Sequence, residues 1–296
     1  VRVVLLGTAA GGGFPQWNCA CALCAAARDG RLPSRTQECA VVTGNGRDWW
    51  LLNASPDLRI QLAATPALWP GPGLRETPVR GVLLTDAETG HACGLSELRG
   101  AAGLKVYAAA PVRAVLAPAR AAPDRCAPWE WADSLADGGF VLAGGLVVTA
   151  HPVGTKIPEY VPAHPPPPAG PWVTAYRIED LASGGVLAYA PCVGAWSPAL
   201  DELCAEADCV LLDGTFLAGD ETGTAVPSGI AQAAMGQLRV TGPDGSLAEP
   251  ARHLGVRRIC TRLNHTNPLL DPDSPARALV AAHGVEVLPD GAELVV

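Results

Sequence analysis

Short apolar runs recur along the chain, each closed by Gly, Pro, Asp or Asn. They fall at 3–6, 49–52, 79–84, 104–108, 140–148, 186–189, 210–212 and 256–260. Runs this short, rich in Val, Leu and Trp and bounded by turn residues, predict strands rather than helices. Helical spacing is less frequent and is expected at 55–63, 94–99, 111–117, 198–205 and 274–282. The last of these has Asp273 and Ser274 where a helix start needs capping oxygens, Pro275 in the first turn, and Gly284 as a stop. Helices that fall between groups of strands predict an α/β architecture of two sheets with helices outside. No internal repeat or composition break divides residues 1–296, so a single domain is expected. Pro165 to Pro168 reads as an extended surface loop, and weak periodicity over 223–234 reads as a flap.

Composition narrows the function. Of 296 residues, 49% are hydrophobic and 17% charged, enough apolar material for a large core, and the net charge is −8. No basic block is present to displace counterions from phosphate, so nucleic-acid binding is not expected. No uncharged apolar stretch is long enough for a transmembrane helix, and the start reads as a strand rather than a secretory leader. Ten cysteines scattered through a long chain suggest buried thiols in a reducing compartment, the cytoplasm, not a disulfide framework.

Three cysteines are not scattered. Cys19, Cys21 and Cys24 form C-x-C-x-x-C, a spacing that lets three thiolates converge on one cation. Zinc takes four tetrahedral S or N ligands at about 2.0–2.3 Å, so a fourth donor must come from elsewhere. An iron–sulfur cluster would need a fourth cysteine, for which Cys39 and Cys260 are available. The preceding Gly11, Gly12 and Gly13 lack the Lys and Ser/Thr of a phosphate loop. Trp17, Trp49 and Trp50 are expected in the core. Ser55 and Ser96 have no His and Asp partners by pattern, which argues against a Ser-His-Asp hydrolase.

Longer motifs carry a resemblance. The segment from Gly7 to Cys21 is similar to the amino-terminal signature of the pyrroloquinoline-quinone (PQQ) biosynthesis protein B family. So are Arg35-Thr36-Gln37, Asn53 to Asp57, Leu83 to Ala87, Leu212 to Thr215 and Asn264 to Pro268, in the same order along the whole chain. The resemblance implies the αββα sandwich of the metallo-β-lactamase fold. It also implies a role in building a quinone cofactor from a peptide-derived precursor, by metal-dependent oxidation or hydroxylation of a tyrosine-derived ring. A small-molecule or peptide-derived substrate and Fe2+ at the active site follow from it.

Set against the superfamily motif H-x-H-x-D-H, residues 86–91 keep little. Asp86 and Glu88 stand at the two leading His positions, Gly90 at the Asp, and His91 alone matches. Asp213 matches the superfamily's metal-binding aspartate. Gln237, after Met235 and Gly236, stands where the family has His, and so does Arg262. Asp86, Glu88, His91 and Asp213, with His151 nearby, are the candidates for a reduced metal site, two carboxylates and a His suiting iron. Arg262 stays protonated and cannot ligate a metal. With Gln237 it instead suggests a pocket for a substrate carboxylate. That alternative is a zinc-stapled, non-catalytic binding protein for a peptide or carboxylate intermediate. His265 matches the position at which a related phosphodiesterase branch completes its structural zinc site, making Cys19, Cys21, Cys24 and His265 the expected set, with Cys260 as the substitute.

Overall fold

Among the residues described by the computed structural model, fourteen strands form two seven-stranded sheets. The described residues are 1–136, 138–218, 237–242, 245–249, 252–253 and 255–296, with the side chains of 121–124 and 126 also set aside. The expected flap at 223–234 lies outside them.

In the first sheet the order is β14 (Glu293–Val295), β1 (Arg2–Gly7), β2 (Cys39–Thr43), β3 (Trp49–Leu52), β4 (Val79–Leu83), β5 (Lys105–Ala108) and β6 (Glu130–Asp133). The second runs β13 (Val285–Glu286), β12 (Arg257–Thr261), β11 (Cys209–Asp213), β10 (Val186–Ala190), β9 (Val173–Asp180), β8 (Leu146–Gly154) and β7 (Phe140–Leu142). Seven helices are described: α1 (Ala22–Arg28), α2 (Leu58–Ala64), α3 (Thr89–Ala92), α4 (Ala110–Val115), α5 (Ala117–Cys126), α6 (Pro198–Ala205) and α7 (Pro275–Ala282).

Side-chain alternation builds three layers of contact. Val3 and Leu5 of β1 face the second sheet and join Trp50, Leu52, Tyr176, Leu211 and Ile259 in the central core. Their neighbours Val4 and Leu6 face outward and pack with Leu58, Leu95 and Val112 from the helical side. On the other outer face, Val210 and Leu212 meet Leu200 and Leu203 of α6. Strands covered on both faces need apolar side chains at every position, which is why these runs lack polar alternation. This is the αββα sandwich.

The expected strand at 140–148 is two strands. Gly144 and Gly145 hold positive φ, so the chain folds back and β7 pairs antiparallel with β8. The helix expected at 94–99 is a 3-10 turn over Cys93–Leu98. At 274–282 the capping pattern holds: Ser274 accepts from the Arg277 N–H and opens α7. Trp49 and Trp50 are buried, but Trp17 is 82% exposed. No described helix is long and apolar enough to cross a membrane.

Strands β3 to β6 run parallel, as do β10 to β13. Parallel strands release their loops at one common edge, where sites form in layered α/β folds. Asp86 and His91 follow β4, Cys192 follows β10, Asp213 ends β11 and Arg262 follows β12. Topology thus gathers residues that are nearly two hundred positions apart.

Candidate functional site

At this edge Asp86 holds His91. The His91 Nδ1 lies 2.8 Å from both Asp86 oxygens. Asp86 also accepts from the Glu88 N–H (2.8 Å) and the Thr85 hydroxyl (2.8 Å). The loop is pinned by close backbone approach: the Ala54 N–H donates to the His91 carbonyl at 2.6 Å, and Gly94 N–H to the Ala54 carbonyl at 2.9 Å. A Cβ on Gly94 would sit 2.1 Å from the Ser55 carbonyl oxygen, so only glycine fits there.

An acidic partner at Nδ1 puts the imidazole proton on that nitrogen and leaves the lone pair on Nε2. That lone pair is taken. Arg262 Nε donates to His91 Nε2 at 3.1 Å. Its Nη1 donates to Gln237 Oε1 at 2.7 Å and Thr215 Oγ1 at 3.0 Å, and lies 3.7 Å from Asp213 Oδ2. Arg262 is buried and holds φ at 61°. A left-handed backbone costs a non-glycine L-residue about 1–2 kcal/mol, a strain offset here by the guanidinium's bonds. Asn53, the other described non-glycine residue at positive φ, braces the opposite side. Its amide donates to Glu38 (3.2 Å) and Tyr189 (3.0 Å), and its oxygen accepts from the Thr85 N–H.

The buried charges sort themselves. Burial opposes the Asp86 charge, but His91 and Arg262 outweigh it and hold this carboxyl well below the usual range. Asp213 differs: burial raises its carboxyl, and Arg262 and Thr215 offset that only in part. Glu38 is also raised by burial against His91, Tyr189 and Asn53. Arg262 stays charged despite burial, because Asp213 and Asp86 lie near it. Asp86 is therefore the carboxylate held ionised opposite Arg262, while burial works against the charge on Asp213 and Glu38.

This arrangement revises the expected metal site. Asp86, His91 and Asp213 do converge, but on a guanidinium. His91 has no free lone pair, and Glu88 pairs with Lys156 at 3.0 Å instead. His151 sits on β8, where its nearest charges are Glu206, Arg177 and Glu202, away from His91. Fe2+ does not fit this donor set. Gln237 and Arg262 stand together as the sequence suggested. Glu38, Tyr189 and Cys192 were missed; Tyr189 sits in an apolar run, Glu38 follows the polar stretch Arg35-Thr36-Gln37, and nothing local marks any of the three. Gly90 is not imposed by space, since a Cβ there would meet only Gly11 Cα, at 3.8 Å.

Arg262 remains reachable. It lines a cavity of about 420 Å3 with Lys156, Tyr160, Thr215, Gln237 and Asn264, and a smaller one of about 90 Å3 beside Glu38 and His91. Among the described residues its Nη2 makes no hydrogen bond.

The cysteine site is separate. Sγ of Cys19, Cys21 and Cys24 lie within 4.8 Å of one another, the one such group among the described residues. These thiols fit a tetrahedral zinc lacking one ligand. The Cys21 Sγ lies 3.9 Å from the His265 carbonyl, and the buried His265 Nε2 has no hydrogen-bond partner. The His265 ring is not inside the 4.8 Å group. Cys260 and Cys39 stay out of the group; Cys39 bonds the Asn53 carbonyl at 3.3 Å. A four-cysteine iron–sulfur site is therefore not assembled.

Comparison with known proteins agrees with this fold. The β-lactamase superfamily domain matches residues 48–260. Coenzyme PQQ synthesis protein B from Azoarcus sp. (strain BH72) is 39% identical over 300 residues, covering 98% of each chain. Its counterpart in Cupriavidus necator is 40% identical over 299 residues, again 98% of each. The crystal structure of zinc-bound PqqB from Methylobacterium extorquens superposes over 100% of both chains with a TM-score of 0.91 and 35% identity. A diphosphatase of the PhnP family (TM-score 0.68, 19% identity, 99% and 96% coverage) shares the fold. Matched from end to end at these identities, the chain belongs to the coenzyme PQQ synthesis protein B family.

Proposed function

We propose that this chain acts in the synthesis of coenzyme PQQ, or of a related peptide-derived product, by binding an anionic intermediate at Arg262. The observation that carries the reading is the guanidinium itself, bonded to His91, Gln237 and Thr215 where the resemblance places metal ligands. A fixed, buried cation attracts what a metal would attract, a carboxylate or a phenolate, but supplies no redox chemistry. The oxidising role implied by the resemblance needs His91 Nε2 for iron, and Arg262 holds that lone pair. Cys19, Cys21, Cys24 and His265 hold a structural zinc in this reading. Zinc there ties the amino-terminal loop to the carboxyl-terminal segment and so couples metal binding to folding.

The test is calorimetric titration of the zinc-loaded protein with glutarate and with L-glutamyl-L-tyrosine. Arg262→Gln should weaken both by about tenfold or more, the value of one charge-assisted hydrogen bond. Oxygen consumption by the wild type that depends on both ferrous iron and a tyrosine-like substrate would refute the reading.

A further inference from the structure

Beside the Arg262 pocket lies another cavity, of about 320 Å3. Thr89 and Tyr160 line both spaces, so the two meet along one boundary. Tyr160 is fixed there by its hydroxyl, which donates to the Ala87 carbonyl at 2.6 Å. The wall of the second cavity is mostly apolar: Leu95, Val115, Leu116, Trp129 and Trp131 contribute, with Arg120 lying over the Trp131 ring at 4.7 Å and Cys93 at its exposed side. Protein interiors pack without voids of this size. A dry cavity of about 150 Å3 already holds a benzene ring, so this one takes a ring with a substituent.

Two features select the occupant. Paired indoles favour an aromatic ring, which gains from stacked or edge-to-face contact beyond its buried area. One donor in the wall is unmet as well. The Trp129 Nε1 donates to the Ala101 carbonyl at 2.8 Å, but the Trp131 Nε1 is buried with no acceptor among the described residues. An indole N–H shut off from water calls for an oxygen acceptor on whatever fills the space.

We infer that this cavity is an apolar subsite of the Arg262 pocket, receiving the oxygen-bearing aromatic arm of a small molecule or short peptide whose carboxylate pairs with Arg262. The inference rests on the anion-binding reading of Arg262 and adds the other half of the ligand. Val115, Leu116, Trp129 and Trp131 do not line the Arg262 cavity, so the halves can be perturbed separately.

The experiment uses full-length, zinc-loaded protein and three kinds of probe. These are ω-phenylalkanoates with one to six methylenes, glutarate as a ringless carboxylate, and benzyl alcohol as a ring without a carboxylate. Burial of the ring should make the best phenylalkanoate bind about 10- to 100-fold more tightly than glutarate. Val115→Trp, which fills the cavity, should abolish that advantage and leave glutarate binding unchanged. Arg262→Gln should weaken both carboxylates and spare benzyl alcohol. A 4-hydroxyphenyl member should outbind its phenyl parent, and Trp131→Phe should remove the difference.

In wild-type protein, where folding of a variant is not at issue, the best phenylalkanoate should protect Cys93 from iodoacetamide, read by peptide mapping, and glutarate should not. No ring-dependent advantage in the wild type, or undiminished alkylation of Cys93 at saturation, overturns the subsite. A ring advantage that survives in correctly folded Val115→Trp overturns it too. Unchanged carboxylate binding in Arg262→Gln, with the ring effect intact, overturns instead the anion-binding reading.

Discussion

Replacing Arg262 with Met keeps length and apolar stem but deletes the charge, and its cost follows from the partners left behind. His91 Nε2, Gln237 Oε1 and Thr215 Oγ1 lose a donor, and Asp213 and Asp86 lose their nearby cation. All of this lies at a side chain only 10% exposed, where solvent does little to compensate. Removing one member of a buried ion pair costs about 3–5 kcal/mol, a large share of the roughly 5–15 kcal/mol that stabilises a typical domain.

The loss should depend on pH in a direction the structure sets. Asp213 and Glu38 have folded carboxyls raised above their unfolded values, and without Arg262 both rise further. Such a group penalises the fold fully above its folded pKa, and the penalty fades as pH falls toward the unfolded value near 4. Asp86 behaves oppositely: its folded carboxyl is depressed, so its contribution is lost only in stronger acid, below this window.

Urea unfolding of wild type and Arg262→Met at pH 8.0 and 5.5, at constant free zinc, reads the difference. The gap should be largest at pH 8.0 and should narrow at pH 5.5 by up to about 1.4 kcal/mol per pH unit for each extra proton bound. A loss below about 1 kcal/mol that is equal at both pH values would refute the buried charge arrangement.

Three further outcomes are expected. His265→Ala should weaken zinc binding at least tenfold by competition with a chromogenic chelator and lower the melting temperature, whereas Cys260→Ser should leave zinc affinity unchanged; the reverse result would make Cys260 the fourth ligand. The triple variant Gly90→Asp, Gln237→His, Arg262→His should retain a divalent metal beyond the zinc after gel filtration, because space exists at Gly90 and His91 regains its lone pair; no added metal would mean the pocket is closed to cations for another reason. Asp86→Asn should cost about 3 kcal/mol by leaving buried partners mismatched; a loss below about 1 kcal/mol would contradict the charge assignment.

Much of the fold was legible because both sheets are covered on two faces. Such strands are unbroken apolar runs, and 49–52, 79–84 and 186–189 matched to within a residue or so. The run at 140–148 was misread because it hides a hairpin turn of Ala and Gly, residues that do not interrupt hydrophobicity. Strand β9 was missed because Arg177 and Glu179 alternate with its buried residues and Asp180 ends it, which masks the run. In the site, the cysteine triple was legible from spacing alone. The fate of His91 was not, because its decisive partner lies 171 positions away and reaches it through the parallel arrangement of β11 and β12. The identity of Arg262 indicated that a metal was disfavoured; only geometry shows that its guanidinium takes up the lone pair a metal would need.

The most direct test of the central claim is metal content per chain in anaerobically purified wild type and Cys21→Ser. One zinc in the wild type and none in Cys21→Ser, with no iron in either, is the result expected if zinc belongs to the cysteine site and Arg262 fills the other. A second metal that survives in Cys21→Ser would contradict the account, because it would have to bind where the Arg262 guanidinium meets His91.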